Sequence, residues 1–170
     1  MTRRELAKEL RRVHRDRYGE VAPRLEPEDA EEMIAEAESE LGFPLPKLVR
    51  SVFAFAGASF VELEGAVSTY SQRFRADAGP LDEGYWPPKM LPIRTLSDHD
   101  WLCVDCGSPD GMVYVYRDDW DAGGPCWPER FEIVAGTYSE FLDGFVASGG
   151  DWPEARPDSN GGVRPDTSER

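Results

Sequence analysis

Along most of the chain the apolar residues fall into runs whose spacing passes from helical to alternating and back to helical. Leu6, Leu10, Val13 and Tyr18 recur at roughly helical intervals in a highly charged background, which predicts a narrow-faced helix over residues 1–20 lying on the domain surface. In EPEDAEEMIAEAESELG the signal is stronger. Pro27 suits a first-turn position, where its missing amide proton costs no helical bond, and Glu28, Asp29, Glu31 and Glu32 sit near the positive end of the helix dipole. Ala30, Met33, Ile34, Ala37 and Leu41 form the buried stripe, and Gly42 ends it. Pro44 and Pro46 then exclude continuous helix and force an extended link. In KLVRSVFAFAG, Leu48, Val49, Val52, Phe53 and Ala56 predict a more deeply buried helix ending at Gly57.

Beyond Gly57 the period shifts towards two. FVELEGAVSTY, rich in β-branched and aromatic residues, predicts a strand or strand pair. ADAGPLDEGYWPPKM reads as a Gly- and Pro-rich surface excursion anchored by Tyr85 and Trp86. Leu91, Pro92 and Ile93 give a short strand, and WLCVDCGSPDGMVYVYRDD predicts a hairpin about a turn at residues 107–111. RFEIV is a further strand. A last helix starts at Thr137, which with Glu140 forms a Thr-x-x-Glu capping box, and buries Tyr138, Phe141, Leu142 and Phe145. From Gly149 onwards too little apolar area remains to offset ordering entropy, apart from Trp152, which can dock locally. The expected organisation is a basic surface helix (1–20), a single domain (21–150) and a disordered tail (151–170). The fold class is α+β: a mostly antiparallel sheet with N-terminal helices and a C-terminal helix packed on it.

Charge narrows the function. The 170 residues include 33 acidic and 19 basic ones, a net charge of −14, which disfavours nucleic acid as a partner because phosphate affinity comes largely from Lys and Arg. The acid is unevenly spread: residues 1–18 carry +4 and the remainder −18. The longest uncharged run, Ser51 to Val61, is far too short to cross a bilayer, and charges interrupt the N-terminus where a secretory signal would be apolar. A cytoplasmic location without membrane contact is expected, with the three cysteines as free thiols.

The stretch IAEAESELGFPLPKLVRSVFAFAG, with Ile34, Glu38, Leu41, Gly42, Leu45, Pro46 and Gly57, resembles the opening motif of the SUKH superfamily, the Smi/Knr-like group that includes many bacterial immunity proteins. The later order fits as well: Leu91, Pro92 and Ile93, then Asp105, then Gly111 and Val113, then TYSEFLDGF. The resemblance spans about residues 28–147. Ala56 stands where the family commonly has Asn, so any role of that Asn is absent. These motif residues shape backbone rather than perform chemistry. What the resemblance implies is protein binding, with toxin neutralisation as the leading role and a regulatory interaction module as the alternative.

Sites with chemistry are few. Cys103 and Cys106, with His99 upstream and Cys126 downstream, have the composition of a Cys₃His zinc site, so a small zinc protein is a third reading. In an extended strand, however, Cys103 and Cys106 leave opposite faces, and the blander expectation is a core residue and a turn residue, with no cofactor. His14 is expected to be solvated in its charged helix, and His99 to make a turn hydrogen bond. No P-loop, G-x-S-x-G or His-Glu-x-x-His pattern is present, so an enzyme is not expected. For partner binding the candidates are Asp118, Asp119, Trp120 and Asp121, an aromatic ringed by acids, and the Tyr85–Trp86 pair. They suit a basic toxin domain, such as a nuclease.

Overall fold

The computed structural model describes residues 2–97, 100–118 and 125–153. Three helices come first: α1 (Arg3–Tyr18), α2 (Pro27–Leu41) and α3 (Lys47–Ala56). The segment expected to be a strand is instead helix α4 (Leu63–Thr69), prolonged by a π-helical turn over Tyr70–Phe74. Leu63, Ala66, Val67, Tyr70 and Phe74 are all buried, and their spacing of three or four residues is helical. Tertiary burial of that stripe outweighs the β propensity of the valines and aromatics.

Four strands follow: β1 (Met90–Thr95), β2 (Asp100–Asp105), β3 (Val113–Arg117) and β4 (Phe131–Ala135). They form one antiparallel meander in the order β1-β2-β3-β4, closed by α5 (Tyr138–Ala147). The α+β class and the antiparallel sheet are therefore as the sequence predicts. In the predicted hairpin turn, the Asp105 side chain accepts from the Gly107 amide at 2.8 Å, and Gly111 has φ +66. A Cβ at Gly111 would sit 3.0 Å from Val104, so the turn needs glycine both for its dihedral and for space. The Thr137–Glu140 capping box forms in both directions, each bond 3.1 Å.

The first three strands are largely buried on both faces, whereas β4 exposes Ile133 and Val134. Paired residues share a face, so Trp101, Cys103, Tyr114 and Tyr116 project to one side and Leu102, Val104, Val113 and Val115 to the other. The first side carries an aromatic cluster centred on Trp86, which is fully buried and stacks on Phe74 with ring centroids 3.5 Å apart.

Helix α1 is more than a surface helix with a narrow stripe. It packs against α3 and α5 and buries Arg11 and His14 alongside Ala7, Leu10 and Val13. Arg11 Nη1 donates to the carbonyls of Ala22 (2.7 Å) and Ala56 (2.8 Å), tying the end of α3 to the link before α2. That link runs so close that a Cβ on Gly57, φ +92, would lie 3.2 Å from the Pro23 oxygen. The chain after α5 also docks further than composition suggests: Tyr18 donates to the Gly150 carbonyl, Arg17 pairs with Asp151, and Trp152 packs on Phe145, Phe60 and Phe141. Trp152, packed against the core, supplies apolar area for this. Residues 154–170 of the expected disordered tail lie outside the described residues.

His14, expected in solvent, is buried against Tyr18, Phe60 and Trp152. Its Nδ1 lies 2.9 Å from the Glu20 carbonyl, and since a carbonyl oxygen only accepts, Nδ1 carries the proton. Burial holds its pKa below the ordinary value; the Glu20 bond opposes this, and Arg94 and Arg11 reinforce it. The unfolded chain therefore takes up this proton first, and stability falls as pH drops below the ordinary histidine value of about 6.5 towards the lowered native one. A His14→Gln variant is expected to lose less melting temperature than the parent between about pH 7.5 and about pH 5.5. Parallel curves from calorimetry would show that His14 is not held neutral.

Candidate partner-binding surface

Asp118 follows β3, and its carboxylate is turned inwards, with only 4% of the side chain exposed. It pairs with Arg73 at 2.5 Å and with Arg130 at 4.0 Å. The Arg73 guanidinium also lies over the rings of Trp101 (4.7 Å) and Phe74 (5.3 Å). Asp118 is thus an internal tie between the π-helical turn and the sheet, and its charge is already matched within the chain. Asp119, Trp120 and Asp121 lie outside the described residues.

The Tyr85–Trp86 pair divides. Tyr85 is 45% exposed, whereas Trp86 is a core residue whose Nε1 donates to the Met90 carbonyl at 2.9 Å. Trp86 has no surface to offer a partner, so Tyr85 alone of the two remains a contact candidate.

Cys103 is buried on β2, and Cys106 follows in the turn, as expected. Burial pushes the Cys103 thiol well up, and burial together with nearby Asp105 and Glu38 pushes Cys106 far up. Without a stronger opposing positive charge both are therefore held as thiols rather than as nucleophilic thiolates. Among the described residues no group of three or more His, Cys, Asp and Glu is placed to hold a metal ion; His99 lies outside them.

The structure adds a surface that the sequence did not indicate. Between α2 and α4 lies a cavity of about 210 Å³ floored by Met33, Ala37, Leu63 and Val67. Glu36 and Glu40, one turn apart on α2, and Glu64 on α4 stand around it, all exposed. None of the three forms a salt bridge among the described residues. An apolar floor ringed by carboxylates is chemically suited to the aliphatic stem and cationic head of a lysine or arginine. Reading α4 as a strand separated Glu64 from Glu36 and Glu40; the signal that unites them is the helical period of Leu63, Ala66 and Val67.

Helices laid over a four-stranded antiparallel meander define an α+β protein with a strongly charged exterior. The family model described as SMI1 / KNR4 family (SUKH-1) matches residues 30–144, more than half the chain. The chain belongs to this family. None of the curated proteins compared with it matches. Among the described residues no helix is long and apolar enough to cross a membrane.

Proposed function

We propose that this chain is a non-enzymatic, cytoplasmic immunity protein that neutralises a cognate toxin by binding a basic domain, such as a nuclease, and covering its active site. Family membership over residues 30–144 is the observation that carries this reading, because the family is compatible with immunity-type protein binding on a shared scaffold. The net charge of −14 supports it, since an acidic exterior steers a basic partner and slows association with an acidic one. The α2–α4 groove is the surface proposed to receive the partner, with Tyr85, Asp119, Trp120 and Asp121 as further contacts.

Co-expression with a basic toxin domain encoded beside the gene tests the role. The parent chain should restore growth, and failure to do so would remove the immunity reading. A Glu36→Lys, Glu40→Lys double variant should associate with the purified domain about tenfold more slowly at low salt, with a weaker salt dependence. An unchanged on-rate would exclude this groove while leaving immunity intact.

A further inference from the structure

One flank of this acidic molecule is basic. Two adjoining cavities, of about 450 and about 340 Å³, share Glu31, Ala54 and Phe55 and so form one groove along α1, α3 and the start of α2. Its floor is apolar: Ala7, Leu25, Ala54 and Phe55, the last three half-buried. Its walls carry Arg3, Arg4, Arg24, Lys47 and Arg50 against only Glu26 and Glu31. Arg50 engages Glu31 at 3.4 Å and also faces Glu38 at 3.7 Å. Arg4 stands 5.9 Å over the Phe55 ring. Arg3, Arg24 and Lys47 are exposed and form no salt bridge among the described residues.

The groove's ionisable residues sum to +3, which leaves −17 on the rest of the chain. We infer that the groove docks a short acidic segment of a partner protein, with an apolar side chain on Phe55 and Ala54 and flanking carboxylates on Arg24, Lys47 and Arg3. The local charge selects an anionic occupant, and the apolar floor selects one with a hydrophobic anchor. Nucleic acid fits poorly: its backbone continues past the groove into repulsion from the acidic remainder, and an evenly charged phosphate chain places nothing apolar on Phe55. The inference is independent of the α2–α4 groove, whose charge is of the opposite sign.

The test uses the full chain and a fluorescein-labelled octapeptide, Glu-Asp-Glu-Phe-Leu-Glu-Asp-Glu, followed by anisotropy and by amide NMR shifts. Saturable binding is expected, with shifts centred on Arg4, Arg24, Ala54 and Phe55. An Arg24→Glu, Lys47→Glu variant, altered only at exposed positions, should bind at least about tenfold more weakly with an unchanged melting temperature. Absence of saturation, or shifts centred on another surface, overturns the inference. So does an oligothymidylate of equal length binding as tightly as the peptide, which would make nucleic acid the occupant. Concentration-dependent self-association in sedimentation, lost in the double variant, overturns it in favour of a second copy of the chain.

Discussion

Replacing Trp86 with alanine is expected to destabilise the protein by about 3–5 kcal/mol, the usual range for emptying a buried aromatic site. For a chain of this size that corresponds to a fall in melting temperature of roughly 6–20 °C. Trp86 is at 0% exposure, stacked on Phe74 and edge-on to Tyr116 (4.9 Å) and Phe131 (5.1 Å). It joins the π-helical turn to β3 and β4, elements distant in sequence. Truncation opens a cavity among rigid rings that cannot collapse into it, and strands the Met90 carbonyl that accepts the indole proton. Trp86→Phe keeps most of the ring volume, loses the hydrogen bond, and should cost about 1–2 kcal/mol. Tyr85→Ala, at an exposed position, should stay within about 0.5 kcal/mol. Urea titration followed by near-ultraviolet circular dichroism checks all three. An alanine variant within about 1 kcal/mol of the parent would mean that Trp86 does not hold the excursion to the sheet.

That excursion shows where sequence pattern stops being informative. The helices at 27–41 and 47–56 are legible because their ends are written in residues with fixed backbone preferences, Pro27, Gly42, Pro46 and Gly57, and their stripes keep one period. The hairpin and the Thr137 capping box are local for the same reason. The 60–74 segment misleads because Val61, Val67, Thr69 and Tyr70 have strand-like composition, while the helical stripe runs on to Phe74, past the point where the alternating reading ends. Gly79, Pro80, Gly84, Pro87 and Pro88 correctly announce irregular backbone, but irregular backbone is not always surface. The Trp86 amide donates to Asp77 and its carbonyl accepts from Gly79, so the loop satisfies its own polar groups while burying the indole. The candidate groove was unreadable for a related reason: Glu36, Glu40 and Glu64 are abundant-type residues, distinguished only by a packing of α2 on α4 that no local pattern encodes.

Asp118→Ala is expected to lower stability by about 2–3 kcal/mol, because it leaves two guanidinium groups without their shared carboxylate. The Arg73 and Arg130 side chains are 32% and 15% exposed, so water recovers part of the loss, which places the cost below that of breaking a fully enclosed pair. Arg73 keeps its ring contacts with Trp101 and Phe74, so the side chain stays in place but loses its ion pair with Asp118. Asp118→Asn preserves shape and hydrogen bonding and should cost less. The exposed Glu36→Lys and Glu40→Lys changes should alter stability by no more than about 0.5 kcal/mol each while changing the association rate. Stability and binding thus separate: Asp118 acts through the fold, and the α2–α4 carboxylates act through the partner. Denaturant titration of each variant beside its on-rate decides the matter. If Asp118→Ala kept full stability yet slowed association, its carboxylate would face the partner instead of Arg73, and the acidic stretch from Asp118 to Asp121 would replace the groove as the contact candidate.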